Sequence, residues 1–532
     1  MKPFPKIWSA VILSIILLMG LLLRIYNLSF PSIGYHNMQE NEYMGIAREM
    51  ERTHDYASKK VYFAGIPEYD PSATAGSRLP LISYQALISW KIFGENLWGP
   101  RFINVIFGIL SILILYFISN QLFRNRLLSL FASLLLAVMP LAVFFSRNLQ
   151  PESPALFFML LGNFFYLKFV SARRRRDLLL GGLAFSAAWF YKSAFLIGAL
   201  PFISYLPIGA KGKKKRPFRY YALSLILPYL LIVPWLSYIN GFNVQRFLEI
   251  FSYSYWKDYG MSILLYMIFE NFNPIFMVTS LIGMGAALLK RDGHAERYII
   301  GWTAVIIPYC ILFSGPLSQN NYSQMPFLAL VCVSSTYAAY FVSEFIKKFI
   351  KKEVLVIVLA VIILSSAPFV FRSIIRMHSK VFIGADVAGE SLRGFTKPDE
   401  HIFLFTHSQG FGIARYAGRY AEWTYNAEDF KKKEKLYNIR YICIYPAEFI
   451  LSLKMNTPKL FEYIVENYHV KEAGMTEEPK KLFYLIMEKG KGCGSDDPFK
   501  TISGETQLKT IYRIIDNYVF FYALRPQQDA GK

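Results

Sequence analysis

Two short runs of this chain hold side chains suited to acid–base and anion chemistry. The first is His36-Asn37-Met38-Gln39-Glu40-Asn41-Glu42-Tyr43. Glu40 and Glu42 are two residues apart, so on a helix they diverge by roughly 200°, whereas an extended segment would turn both to one site. A carboxylate at the mouth of a membrane pocket can serve as general base towards a hydroxyl or amine, or as ligand to a divalent metal ion. The competing reading is a solvated loop acid. The second run is Arg147-Asn148-Leu149-Gln150-Pro151-Glu152-Ser153-Pro154. Its arginine offers a planar fork suited to a phosphate, Glu152 could orient that fork, and the two prolines set the entry into the next helix. Here the competing reading is an arginine whose head reaches lipid headgroups. Lys192, between Tyr191 and Ser193, is a candidate on the same grounds, because an ionisable group so closely flanked by apolar chain is costly to keep there.

Two further stretches add recognition chemistry. Residues 252–259 mix Ser, Tyr and Trp with Lys257 and Asp258, and could stack on a sugar or sit in an interfacial aromatic belt. Residues 318–326, with Asn320, Asn321, Tyr322 and Gln324, are rich in amides. The chain has no Walker A loop, no dinucleotide-type glycine fingerprint, no His-Glu-x-x-His, no nucleophile elbow and no Cys/His cluster. A nucleotide cofactor is therefore not expected. An enzyme built this way needs an energised substrate delivered to it.

The elements that must position these residues are apolar spans. The first, residues 7–23, follows Lys2 and Lys6 and lacks a small-residue cleavage site, which reads as an uncleaved first crossing. A loop over 25–98 follows, with an amphipathic stretch from Glu40 to Arg52. Later runs lie at 100–121, 127–146, 154–171, 178–191, 194–208, 220–239, 272–289, 298–314, 325–345 and 354–371, most of them near the ~20 residues a bilayer requires. Lys and Arg collect at every second connection: 124–126, 173–176, 211–219, 290–297 and 347–352. Short cytoplasmic loops gather these residues, so the chemically mixed connections face outward and the N-terminus inward.

The expected architecture is a polytopic α-helical membrane protein of about 11 transmembrane helices, with a membrane domain over 1–374. Period-two apolar runs at 401–406, 439–445 and 481–487 alternate with helix-like runs, giving 375–532 as an extracytoplasmic α/β domain with a partly parallel sheet. Hydrophobic residues make up 54% of the 532, which excludes a soluble enzyme with one large core. The net charge of +21 would suggest nucleic acid in a soluble protein; concentrated in cytoplasmic loops, it points to anionic membrane lipids instead. Cys310 and Cys332 lie in apolar spans, and Cys443 and Cys493 have no metal-binding spacing.

In order and spacing these segments resemble the lipid-linked-sugar glycosyltransferases of the GT-C fold, in the branch of the protein O-mannosyltransferases and the aminoarabinose transferases of lipid A. The resemblance rests on Gln39-Glu40-x-x-Tyr43 with Ala47-Arg48, and on Leu79-Pro80-Leu81-Ile82-Ser83-Tyr84 followed by Gly94 and Arg101. It continues through Arg147-Asn148-x-Gln150-Pro151-Glu152, Gly181-Gly182-Leu183-Ala184 with Lys192, and Asn321-Tyr322 before Pro326. Residues 414–419 are similar to a piece of the soluble domain. One position departs: Gln39 stands where the family has its catalytic Asp.

The resemblance implies a sugar donor carried on a polyprenyl phosphate, a protein, lipid or glycan acceptor, and single-displacement transfer with inversion. It implies Glu40, alternatively Glu42, as base. Arg147, Lys192 and Arg78 become the donor-phosphate ligands, with Gln39, Tyr43, Gln150, Glu152, Asn321 and Tyr322 in support. A divalent metal is neither required nor excluded by these residues. The alternatives are a transporter or flippase of lipid-linked saccharides, which usually shows paired half-repeats and a midplane polar path, and a membrane sensor whose α/β domain binds a ligand.

Overall fold

The computed structural model describes residues 5–57, 61–63, 80–205, 253–291, 293–350, 354–478, 480–490, 492–493, 498–502 and 504–526. They form two compact units: 1–28, 77–82 and 98–377 make one, and 29–76, 83–97 and 378–532 the other. The first loop thus packs with the C-terminal chain, where the sequence grouped 25–98 with the membrane segments. The reason is backbone pairing: Phe382 N–H bonds Ile33 O at 2.7 Å and Ala421 N–H bonds Tyr62 O at 2.7 Å.

Along the chain, α1 (Lys6–Ile25) is followed by α2 (Asn37–Thr53) and α3 (Leu81–Phe93) of the loop, then α4 (Trp98–Phe123). Next come α5 (Arg126–Val138), α6 (Pro140–Arg147), α7 (Glu152–Ala172), α8 (Arg175–Tyr191) and a 3₁₀ stretch, Ser193–Tyr205. Beyond the undescribed residues, α9 (Tyr253–Tyr266) runs into a π turn (Met267–Asn271), then α10 (Pro274–Lys290), α11 (His294–Leu312) and α12 (Ser314–Gln319). A 3₁₀ turn (Asn321–Phe327) leads into α13 (Leu328–Ile350), and α14 (Leu355–Ser379) follows.

Among the described residues six helices are long and apolar enough to cross a membrane, or eight if each of two bent pairs is one span. The expected span at 220–239 lies outside the described residues. Those at 178–191 and 194–208 are α8, of 17 residues, and a 3₁₀ stretch of 13. At 1.5 Å per residue α8 falls short of a ~30 Å hydrocarbon core, and residues 206–208 of the second run lie outside the described residues. The count of eleven is therefore not established, while the multi-pass helical architecture is.

Both bends have a proline at the break. α5 and α6 meet at 57°, where Pro140 offers no N–H to the carbonyl of Leu136. The fully buried guanidinium of Arg24 takes its place: Nη2 donates to Leu136 O at 3.2 Å and Nη1 to Ala137 O at 2.9 Å. The second bend, 113°, separates Tyr259–Asn271 from α10, with Pro274 opening the new helix and Asn273 Oδ1 capping Phe276 N–H at 3.0 Å.

In the second unit α15 (Ala385–Phe395), α16 (Gly410–Ala417), α17 (Ala427–Leu436), α18 (Phe449–Asn456) and α19 (Pro458–Asn467) cover a seven-stranded sheet. Its strands are β1 (Ile402–Thr406), β2 (Ala421–Glu422), β3 (Tyr441–Tyr445), β4 (Tyr468–Thr476), β5 (Lys481–Lys489), β6 (Gly504–Ile514) and β7 (Asn517–Pro526). Their order is β2-β1-β3-β5-β4-β7-β6, parallel only from β2 to β3. β1 and β3 are buried along their whole length, as continuous apolar strands covered on both faces must be. One face carries Ile33, Tyr62 and Phe63 of the first loop, and the other packs on α17 to α19. All four cysteines are free thiols.

Helix packing in the membrane unit relies on small residues. A Cβ at Gly283 of α10 would lie 1.9 Å from Ser334 O of α13, whereas one at Gly285 meets nothing within 4 Å. Gly283→Ala should destabilise the detergent-solubilised protein by ~1–3 kcal/mol through overpacking. Gly285→Ala should be neutral or stabilising by up to ~1 kcal/mol from helix propensity. Thermal unfolding of the two variants side by side tests this, and equal midpoints would contradict the close α10–α13 contact.

Candidate active site

The membrane unit concentrates charge where α6 and α8 end and α7 begins. Breaking the span at Pro140 leaves α6 a short helix ending in Arg147, which is nearly buried and donates from Nη2 to Asn27 O at 2.8 Å. This anchorage replaces the headgroup-seeking arginine that the sequence also allowed. The turn after it is pinned by Asn104, whose Nδ2 donates to Asn148 O at 2.6 Å and Gln150 O at 2.8 Å. Gln150 is itself fully buried. Pro151 then starts α7 with Glu152 in its first turn, where the positive end of the helix dipole favours a carboxylate.

Glu152 is fully buried, and its ion-pair partner is Lys192, just past the end of α8, rather than Arg147. α7 and α8 form an antiparallel hairpin, which brings the start of one beside the end of the other. The Lys192 ammonium also lies over the ring of Tyr322, 4.0 Å from its centroid, and Phe145 of α6 packs edge-on against that ring. Glu152 Oε2 has no hydrogen-bond partner among the described residues. Arg147 and Lys192 thus bring two cationic side chains, and Glu152 one carboxylate, to these helix ends. A buried pair of this kind contributes little net stability after desolvation, which marks it as a candidate functional group.

Next to Tyr322, Asn321 Nδ2 reaches Glu270 Oε2 at 3.3 Å. Glu270 sits in the π turn at the second bend, is buried, and has Arg376 Nε 3.7 Å from its other oxygen. Asn271 bridges to Asn321 O at 3.1 Å and Gln324 Oε1 at 2.8 Å. The sequence reading missed Glu270. The available signal was an acid followed by Asn271, Asn273 and Pro274 between two apolar runs. Of residues 252–259, only the helical backbone from Tyr253 and the side chain of Tyr259 are described.

In the second unit Glu40 and Glu42 lie on α2, so the helical alternative holds and they diverge. Glu40 is buried and accepts from Ser32 Oγ at 2.5 Å. Around it Asn37 Nδ2 donates to Gln409 Oε1 at 2.7 Å, and Arg415 Nε of α16 donates to Asn41 Oδ1 at 2.6 Å. Burial pulls the pKa of Arg415 below the ordinary arginine value, while the charges of Tyr416 and Glu40 oppose that shift. Gln39, Glu42 and Tyr43 are half-buried and, at spacings of three and four, share the other face of α2. Arg78 lies outside the described residues. No group of three or more His, Cys, Asp or Glu that could hold a metal ion occurs among the described residues.

The Lys192–Glu152 pair makes a definite prediction. Glu152→Gln or Lys192→Met alone leaves one uncompensated buried charge and should cost ~3–5 kcal/mol. The double variant should cost clearly less than the sum. Unfolding of all four proteins in detergent measures the coupling, and strict additivity would mean the pair does not exist.

Residues 77–238 match the family model described as dolichyl-phosphate-mannose-protein mannosyltransferase. The undecaprenyl phosphate-α-4-amino-4-deoxy-L-arabinose arabinosyl transferase of Pseudomonas aeruginosa (strain LESB58) is 27% identical over 228 residues, 41% of this chain and 38% of the relative. The chain spans less than half the length of the curated relatives it matches. Among solved structures, apo ArnT from Cupriavidus metallidurans aligns over 90% of this chain and 97% of its own, at 14% identity and a TM-score of 0.59. The archaeal oligosaccharyltransferase AglB from Archaeoglobus fulgidus aligns over 90% and 74%, at 13% identity and a TM-score of 0.59. The motif resemblance drawn from the sequence is thus matched by the architecture: this chain is a multi-pass membrane protein with the GT-C fold.

Proposed function

We propose that this chain is an integral-membrane glycosyltransferase that takes a sugar from a polyprenyl-phosphate carrier and passes it, with inversion, to a glycan, lipid or protein acceptor. The observation that carries the reading is the buried Lys192–Glu152–Tyr322 cluster with Arg147, two cationic side chains and a carboxylate held at the ends of apolar helices. Its chemistry suits a lipid-linked phosphate. A solved structure of ArnT bound to undecaprenyl phosphate has the same fold, at a TM-score of 0.56 and 13% identity.

In the proposed reaction the acceptor hydroxyl or amine attacks the anomeric carbon and the bond from that carbon to the phosphate oxygen breaks. Polyprenyl phosphate leaves with the electron pair, stabilised by Lys192 and Arg147, a contribution commonly worth ~2.7–4 kcal/mol per group. A carboxylate of α2 takes the acceptor proton. The burial of Glu40 and its bond to Ser32 favour Glu42 for this role and leave Glu40 as an anchor of α2. Glu42 stands one helical turn after Gln39, and helical side chains lean towards the N-terminus, so its carboxylate can serve where the family's Asp would. Gln150, Tyr43, Asn321 and Tyr322 support these groups. The N-terminus is cytoplasmic, the C-terminal domain extracytoplasmic, and the membrane the cell membrane, as the alternation of Lys and Arg argues.

Purified full-length protein, incubated with a panel of undecaprenyl- and dolichyl-phosphate sugars, should release polyprenyl phosphate from at least one. A saccharide transporter would move donors across vesicles without releasing any, and that result would replace the present reading. Glu42→Gln should lower transfer ~10²–10⁴-fold with donor binding intact. Gln39→Asp should be tolerated, and Lys192→Met should weaken both binding and turnover. Full activity in Glu42→Gln with loss in Glu40→Gln would return the base to Glu40.

The orientation is tested separately. Single cysteines at Arg175 and Tyr425, in a background without the four native ones, are exposed to an impermeant thiol reagent on intact cells. Labelling is expected at 425 and absent at 175. The reverse pattern would invert the topology.

A further inference from the structure

The second bend has features that the phosphate cluster does not use. Within eight residues the chain makes a π turn, places the buried acid Glu270 in it, sets Asn273 at a φ of 67°, and restarts as α10 at Pro274. Single π turns and left-handed residues other than glycine are kept mainly where a site needs them. Two fully buried amide atoms there, Asn271 Oδ1 and Asn273 Nδ2, have no hydrogen-bond partner among the described residues. Buried polar atoms are almost always satisfied, so one open acceptor and one open donor beside a carboxylate await a polar ligand. The bend is also continuous with the cation cluster: Asn321 reaches Glu270, and its neighbour Tyr322 lies under Lys192.

We infer that this bend is the subsite for the donor's sugar ring, Glu270 and Asn271 Oδ1 accepting hydrogen bonds from its hydroxyl or amino substituents and Asn273 Nδ2 donating one to a ring oxygen. The inference rests on the glycosyltransferase reading and deepens it by dividing donor recognition in two. Lys192 and Arg147 hold the phosphate common to every such lipid, and the bend reads which sugar the phosphate carries. A carboxylate with open amide groups suits a ring rich in hydrogen-bond donors, and nothing in the set is matched to a lipid tail.

The division is testable by comparing two probes on the full-length protein in detergent: undecaprenyl phosphate itself, and an undecaprenyl-phosphate-linked sugar that the wild-type protein cleaves. Glu270→Gln should leave binding of the sugarless lipid within about twofold while weakening the glycosylated one about ten- to a hundredfold, the worth of one charge-assisted hydrogen bond. Asn273→Asp keeps the oxygen that caps Phe276 and tolerates the same φ, so it tests the donor even if Glu270→Gln fails to fold. Lys192→Met should weaken both probes alike. If folded Glu270→Gln and Asn273→Asp lose both probes equally, or neither, the sugar subsite is elsewhere while the glycosyltransferase reading stands. If the wild-type protein cleaves no donor of the panel, that reading falls and takes this inference with it.

Discussion

A lipid environment offers no water to an unpaired carbonyl, and this constraint organises the membrane unit. Pro140 breaks a span that would otherwise run straight, leaving Leu136 and Ala137 with carbonyls to satisfy. The guanidinium of Arg24, from a different helix, satisfies both. Arginine suits the task because its fork keeps several donors in fixed geometry and its charge is not readily lost on burial. Arg24 thereby stabilises the bend that sets the direction of α6, which ends in Arg147 beside the turn that Asn104 pins. The position of the candidate phosphate ligands thus depends on one hydrogen-bonding side chain, Arg24, sixteen residues before the first of the loop's acids, Glu40.

The same economy explains the charges themselves. Glu152, Lys192 and Glu270 are all nearly inaccessible, and each touches a partner that offsets part of its desolvation. Replacing such pairs by apolar side chains would generally stabilise a protein. Their presence at helix ends and bends, while helix surfaces elsewhere are apolar, separates groups kept for chemistry from groups kept for packing. In the second unit the buried Glu40 network has a different character. Ser32, Asn37, Asn41, Gln409 and Arg415 hydrogen-bond in one network that ties α2 to α16, which fixes the helix that carries Gln39 and Glu42.

Much of this was legible in the sequence because it is local. Apolar run lengths located the long membrane helices, the alternating strands and helices gave the α/β sheet, and Arg147, Glu152 and Lys192 stood out as charges between apolar runs. The partner of Glu152 was legible in principle: two helices joined by the short 173–174 turn must bring Glu152 beside Lys192, whereas Arg147, five residues earlier, belongs to a different helix. What sequence could not supply was long-range. Nothing local says that Phe63 would pair with Ala421, more than three hundred residues later, or that Asn321 would meet Glu270. Of the short spans after Arg175, α8 has only 17 residues, and the next is described only as far as Tyr205.

Both candidate sites of the membrane unit lie where a proline follows the end of a helix, Pro140 and Pro274. A break exposes backbone polar groups, and a membrane protein retains such a defect only where other polar groups cover it. At Pro140 the cover is Arg24, and the product is a redirected α6 carrying Arg147. At Pro274 it is Asn273 and the π turn, and the product is a buried Glu270. The two defects meet through adjacent residues of one 3₁₀ turn, Asn321 on the acid and Tyr322 under the lysine. Under the proposed reading, the joined sites would take a ligand with hydrogen-bond donors at one end and a phosphate at the other, as a glycosyl phosphate has.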